Sequence, residues 1–110
     1  MIDYNGRRFR PVSDHPGEDG TMATYRQEGD LLWAEFSGGP NRRGSLTGLC
    51  ADDGSLEFAY TMVRTSGEVI SGRCRSTPEI LPDGRIRLHE QWERYGPNGS
   101  SGTSMIEEVP

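Results

Sequence analysis

Residues 53–67, DGSLEFAYTMVRTSG, contain one strand pattern between two turn dipeptides. Asp53-Gly54 and Ser66-Gly67 tolerate the positive φ angles that a tight β-hairpin requires. Apolar side chains occupy every second position between them: Leu56, Phe58, Tyr60 and Met62. The stretch therefore predicts a β-strand with one buried face, and the chain should reverse direction at both of its ends.

The same turn chemistry recurs along the whole chain at near-even intervals. The further breaks are Asn5-Gly6, Asp19-Gly20, Glu28-Gly29-Asp30, Gly38-Gly39, Asp83-Gly84 and Asn98-Gly99. They delimit eight segments, of which none shows a convincing helical repeat: 7–13, 21–28, 31–37, 43–51, 55–64, 69–80, 85–95 and 101–109. Eight sequential antiparallel strands are therefore expected.

These strands form one domain, residues 1–110, because the chain is too short for two cores. With no helix to cover its apolar face, the sheet has to curl on itself, and closure also removes exposed edges. We predict an all-β, up-and-down, calycin-like barrel, with a two-layer sandwich as the alternative. Glycines 44, 48 and 72 inside strands suggest bulges or strong coiling, and Pro78 and Pro82 predict a bend near the end of the sixth strand.

Charge and composition narrow the classes of partner. The net charge is −5, from 12 basic and 17 acidic residues, so a phosphate backbone would be repelled and nucleic acid is not expected. No segment resembles a signal peptide or reaches membrane-spanning length, which predicts a cytoplasmic protein without a membrane partner. Cys50 and Cys74 should then be reduced thiols, and their spacing predicts no zinc site.

Glu90 is the outstanding candidate for chemistry. It shares a strand face with Ile86, Leu88 and Trp92. A carboxyl group there would be partly desolvated, which raises its pKa and suits a general acid or base, with Tyr60 as a second catalytic candidate. In the alternative interpretation, Glu90 lies at a barrel mouth or pairs with Arg26 or Arg87 as a satisfied ion.

Alternation along strands separates groups that are neighbours in sequence. His89 should point away from Glu90 and lie on the surface. Arg73 and Arg75 should point away from Cys74, which leaves an inert buried thiol. His15, in the segment 13–19 with Asp14, Glu18 and Asp19, is either part of a weak cation site or a solvated loop residue, and the loop is the favoured interpretation.

The third strand carries apolar residues on both faces. Trp33 alternates with Leu32, Ala34 and Phe36, so both faces need cover. A subunit interface centred on Trp33 is one explanation, and a barrel corner is the other. Of the two explanations, the sequence slightly favours the subunit interface, and we predict a homo-oligomer.

Five stretches resemble a family of small bacterial proteins that are often labelled N-acetylglutamate synthases. They are residues 4–10, 33–39, 76–79, 83–90 and 101–108, and the run from Ser76 to Glu90 is the most specific. The resemblance implies a compact bacterial β protein of about this size. It transfers no catalytic residue, because acetyltransferases of that activity use an α/β fold with a glycine-rich loop before a helix, and this sequence predicts neither.

Three functions are compatible with these observations. The first is small-molecule binding inside the barrel, as in lipocalins and avidins, through one inward-facing set: Phe58, Tyr60, Met62, Cys74, Leu88, Glu90 and Trp92. The second is a cofactor-independent cyclase, isomerase or hydrolase that uses Glu90 and Tyr60. The third is a homo-oligomeric interaction protein with a filled core. No cofactor and no metal are expected in any of them.

Overall fold

A computed structural model describes residues 1–12 and 20–110, and these residues form a closed barrel of eight strands. Each strand pairs antiparallel with the next, and the first pairs with the last. The strands are β1 (Arg8–Pro11), β2 (Met22–Glu28), β3 (Leu31–Gly38), β4 (Asn41–Cys50), β5 (Leu56–Arg64), β6 (Val69–Ile80), β7 (Ile86–Arg94) and β8 (Ser100–Glu108). The predicted up-and-down barrel is confirmed, and the sandwich is not formed.

Within residues 1–12 and 20–110, the turns lie where the glycine dipeptides predicted them, with one exception, and the predicted turn at Asp19-Gly20 lies partly outside these residues. Gly54 and Gly67 adopt φ angles of 87° and 89°, in the left-handed region that an L side chain rarely adopts. Between β7 and β8 the positive φ belongs to Gly96, at 102°, and not to Gly99. The prediction at Asn98-Gly99 was therefore misplaced within the correct loop.

The irregularity predicted near the end of β6 does not take the form of a β-bulge. Pro78 lies in regular register opposite Leu88, and β6 continues to Ile80. The carbonyl oxygen of Ser71 accepts a hydrogen bond from the backbone N–H of Tyr95, just beyond β7. Backbone groups of successive strand residues point to opposite sides, so the N–H and C=O groups of odd-numbered residues in β6 point towards β7. Pro78 therefore directs its missing N–H towards β5, whose pairing with β6 ends at Ser76, and no ladder bond is lost.

One end of the barrel, here called the closed half, is plugged by the segment that precedes β1. Tyr4 is fully buried there, and its hydroxyl donates a hydrogen bond of 2.6 Å to the carbonyl oxygen of Gly54. The rings of Tyr4, Phe9 and Tyr25 pack against one another, with centroids 4.7–6.3 Å apart. The side chains that complete this packing are aliphatic and fully buried or nearly so: Leu32, Leu56, Ile86 and Leu88.

The outer wall confirms the alternation that the sequence predicted. Arg73 and Arg75 lie outside and pair with Glu93 and Glu57, at 4.0 Å and 3.7 Å. His89 is exposed, and its Nε2 lies 2.8 Å from Glu79. Cys74, which lies between Arg73 and Arg75 in sequence, points inward and is buried.

Trp33 also lies on the outer wall, where it is 37% exposed. Leu31 and Leu49 are cross-strand partners beside it and are exposed as well. The barrel-corner explanation is therefore wrong, because Trp33 does not pass into the core, and the self-association prediction stays a prediction. Within the described residues, no helix has the length and apolarity needed to cross a membrane.

Candidate functional site

The other end of the barrel, here called the open half, contains a cavity of about 420 Å³. Phe9 and Tyr25 form part of its boundary towards the closed half. Further lining residues are Pro11, Val12, Thr21, Ala23 and the residues 104–106. The interior is thus not filled, which removes the premise of a filled-core interaction protein. The remaining lining is mainly apolar, with four aromatic rings and four polar or charged side chains: Phe36, Pro40, Asn41, Leu46, Phe58, Tyr60, Met62, Arg64, Cys74, Glu90, Trp92 and Arg94.

Four glycines on the inner face explain how so many rings leave a cavity open. Each glycine lies opposite an aromatic residue of the neighbouring strand: Gly44 and Phe36, Gly48 and Phe58, Gly72 and Tyr60, Gly102 and Trp92. A Cβ atom added to Gly102 would lie 2.6 Å from the Trp92 ring, and one added to Gly72 would lie 2.7 Å from the Tyr60 hydroxyl. At Gly44 and Gly102 the ring therefore occupies the space that a side chain would fill. At Gly48 and Gly72 a backbone carbonyl oxygen of the neighbouring strand lies nearer still, 2.0 Å from the added atom.

This finding excludes one of the two interpretations of the strand glycines, the bulges, whereas strong coiling of the strands stays a prediction. Gly44, Gly48 and Gly72 are in regular register with their neighbours, whereas the register shifts of β3 to β5 fall between Phe36 and Gly38 and between Asn41 and Arg43. The glycines make room for rings from adjacent strands, and they do not mark bulges. A sequence signal was present, because each glycine has an aromatic residue one strand away once the hairpin register is known.

Glu90 lies inside the barrel and keeps part of its surface open to the cavity. Its carboxyl group accepts hydrogen bonds from Ser104 Oγ at 3.2 Å and from the Cys74 thiol at 3.6 Å. Burial raises the pKa of Glu90, and the hydrogen bonds from Ser104, Cys74 and Ser76 offset only part of that rise. The carboxyl group is thus biased towards its neutral form.

Both alternatives that the sequence left open for Glu90 are wrong. Arg26 is exposed on the outer wall. Arg87 pairs with Glu107 and lies 3.8 Å from Glu79, also outside the barrel. Glu90 is not at the mouth either, because Trp92 and Arg94 follow it along β7 towards the open end.

Cys74 is buried and points inward, as predicted, and its inertness stays a prediction. Burial and the neighbouring Glu90 raise its pKa to about 12, so the thiolate does not form at neutral pH. Its sulfur lies 3.8 Å from the Ser76 hydroxyl. Cys74 therefore acts as a small, weakly polar wall residue beside Glu90.

Tyr60 lies in the row of side chains nearer the mouth. Its hydroxyl donates to the carbonyl oxygen of Glu93 at 3.2 Å, across the space left by Gly72. Burial raises the pKa of Tyr60, and the adjacent Arg94 guanidinium opposes that rise. Tyr60 and Glu90 share the cavity, and no hydrogen bond joins them among the described residues.

Arg94 and Arg64 are site residues that the sequence reasoning missed. Both are half-buried and line the cavity. The Arg94 guanidinium lies 5.1 Å from the centre of the Trp92 ring, and its Nε is buried without a hydrogen-bond partner among the described residues. The available signal was periodicity, because Arg94 continues the inward face of Glu90 and Trp92.

Six of the seven residues predicted to bind a ligand line the cavity, and Leu88 does not. Leu88 is completely buried beneath it in the closed half, because it precedes Glu90 on the strand and packs against the plug. The remaining six contribute to one continuous lining: Phe58, Tyr60, Met62, Cys74, Glu90 and Trp92. Their role in binding stays a prediction.

Candidate metal ligands were sought among the described residues and in the segment around His15. No group of three or more His, Cys, Asp or Glu side chains there could hold a metal ion. The candidate cation site around His15, Asp14, Glu18 and Asp19 lies outside the described residues.

Comparison with known proteins identifies the family. A family model described as avidin-like protein matches residues 2–109. Searches of the curated proteins and of the solved structures found no match. None of these comparisons tests the resemblance to proteins labelled N-acetylglutamate synthase. The barrels of the matched family bind small ligands such as biotin. Since the match spans nearly the whole chain and the fold is the expected closed barrel, this protein belongs to the avidin-like family.

Proposed function

We propose that this protein binds a small, mainly apolar organic molecule in the cavity of the open half. The observation that carries the proposal is the cavity itself, about 420 Å³ in volume and lined by aromatic rings with a few polar groups at defined depths. Volume and lining both fall within the range that small-molecule sites occupy. The family match supports the same function.

The glycine–aromatic pairs support this proposal further. An interior that served only stability would be filled to normal packing density, because voids cost contacts and solvation energy. Here Gly44, Gly72 and Gly102 replace side chains that would occupy the lumen or displace the rings. The packing density is therefore lower in the part of the barrel that has room for a ligand.

Filling the cavity tests the proposal. The neutral fluorescent probe N-phenyl-1-naphthylamine should bind the native protein and brighten as it enters the apolar cavity. Ala23→Phe should abolish this signal because Ala23 points into the cavity, whereas Ala59→Phe should not because Ala59 is exposed on the outer wall. Equal binding by both variants, or no binding to the folded native protein, would contradict the proposed function.

A second candidate function is an acid–base reaction without a cofactor, and the environment of Glu90 favours it. A carboxyl group with a raised pKa that faces a cavity can donate or accept a proton near neutral pH. The test is product formation from a metabolite mixture, followed by mass spectrometry. Glu90→Gln should remove any product while probe binding persists, and unchanged product formation would eliminate Glu90 as the acid or base.

A further inference from the structure

The arginines of this protein fall into two groups. Six pair with carboxylates of the described residues: Arg7, Arg43, Arg73, Arg75, Arg85 and Arg87. Arg64 and Arg94 line the cavity and form no ion pair within the described part of the chain. Four further arginines also lack an ion pair there, but they are exposed and water solvates them: Arg8, Arg10, Arg26 and Arg42. The unpaired and half-buried cations are therefore concentrated in the cavity.

A half-buried guanidinium without a counter-ion is costly, because part of its hydration is lost and no opposite charge replaces it. For Arg94 a hydrogen bond with the neutral Tyr60 hydroxyl offsets only part of this cost. Arg94 shows this most clearly, since its Nε is buried and unpartnered while its guanidinium is fixed 5.1 Å from the centre of the Trp92 ring. Tyr60 lies beside it across Gly72. The position of Arg94 is thus set before any ligand arrives, which favours binding of an anion.

The acidic group of the cavity does not compete for this cation. Glu90 lies four residues before Arg94 on β7, so their Cα atoms are about 13 Å apart along an extended strand, and no ion pair joins the two side chains. Its carboxyl group is engaged by Ser104 and Cys74. An anionic group at Arg94 therefore meets Tyr60 and Trp92 as its neighbours, and Glu90 stays at the far end of the ligand's path.

We infer that the cavity selects a small organic anion, with its oxyanion group on Arg94, its flat apolar body against Trp92 and Tyr60, and Arg64 as a second cation. This inference rests on the proposed function and names the chemical class of its ligand. The flat body follows from the rings that lie close to the wall opposite Gly72 and Gly102. The anion follows from the two cavity arginines, although the protein as a whole carries a net charge of −5.

Two probes that share one ring system test the inference. 8-Anilino-1-naphthalenesulfonate carries a sulfonate, and N-phenyl-1-naphthylamine is the same skeleton without it. The native protein should bind the anionic probe about tenfold more tightly, the difference expected of one charge-assisted contact. Arg94→Gln should remove this preference and leave the neutral probe unaffected. Arg26→Gln makes the same charge change on the outer wall and should alter neither affinity.

The outcomes separate the inference from the function on which it rests. Equal affinities for the two probes in the native protein, or an equal loss of both in Arg94→Gln, would overturn the anion selectivity and leave cavity binding intact. Failure of both probes would overturn the proposed function as well. If Arg94→Gln does not fold, raising NaCl from about 0.05 M to about 1 M should weaken only the anionic probe, because salt screens the ion pair. An unchanged ratio of affinities would then contradict the inference.

Discussion

The two halves of the barrel use the same strands and the same alternation, and they differ in what faces the axis. In the closed half, Tyr4, Phe9 and Tyr25 pack on one another and aliphatic side chains complete a dense core. In the open half, Tyr60 and Trp92 pack on the wall opposite Gly72 and Gly102. Whether an inward ring meets another ring or a glycine therefore decides whether the barrel is filled or hollow.

The largest difference between the two halves should appear in the free energy of unfolding when one apolar side chain of each half is truncated to alanine. Leu88→Ala should reduce the free energy of unfolding by about 3 kcal/mol, because it leaves a void in a fully buried core. Met62→Ala should cost about 1 kcal/mol, because Met62 borders a cavity that already exists. Urea denaturation measures both. Equal losses would show that the open half is packed as tightly as the closed half.

A smaller effect should follow from adding one methyl group at a glycine of the open half. In Gly102→Ala the new Cβ would lie 2.6 Å from the Trp92 ring, so the ring must move into the cavity. We expect a loss of about 2 kcal/mol in stability and weaker binding of N-phenyl-1-naphthylamine. Ser101→Ala, one residue away on the outer face, is the control. Unchanged stability and binding in Gly102→Ala would show that the glycine does not hold the ring in place.

The smallest effect concerns pH and Glu90. Since burial raises its pKa in the folded state, the folded protein binds this proton more tightly than the unfolded chain. The stability of the native protein relative to Glu90→Gln should therefore be greatest below about pH 4, near the ordinary glutamate value. It should fall as the pH rises through that value to the raised one, and then level off.

The groups that face Glu90 do not reverse this sign. Cys74, Tyr25 and Tyr60 have raised pKa values and stay neutral in that range, and no cation among the described residues contacts the carboxyl group. Urea midpoints between about pH 4 and about pH 8 would measure the trend. Glu93→Gln, on the outer wall, corrects for the change in net charge. A native protein that gained stability over Glu90→Gln with rising pH would contradict the assignment.

Local sequence features predicted the strands well, because turn dipeptides and period-two alternation act within a few residues. The inward placement of Glu90 and Cys74 and the outward placement of His89 followed from alternation alone. The position of each side chain along the barrel axis could not be predicted from alternation. It depends on the register between strands and on the plug formed by the residues before β1. Leu88 was therefore assigned to the cavity although it lies below it, and Arg94 was overlooked at the mouth.

The seam between β1 and β8 has a consequence for the order of folding. Every other neighbouring pair joins consecutive strands, whereas the seam joins strands from opposite ends of the described chain and pairs Phe9 with Glu108. Arg7 reinforces it with hydrogen bonds of 2.9 Å and 3.0 Å to the Glu108 carboxylate. Contacts between distant parts of a chain pay the greatest loss of chain entropy, so we expect the hairpins to form early and the seam to close last. Until it closes, both outer strands carry unpaired edges, and the chance of pairing with another chain is greatest at that stage.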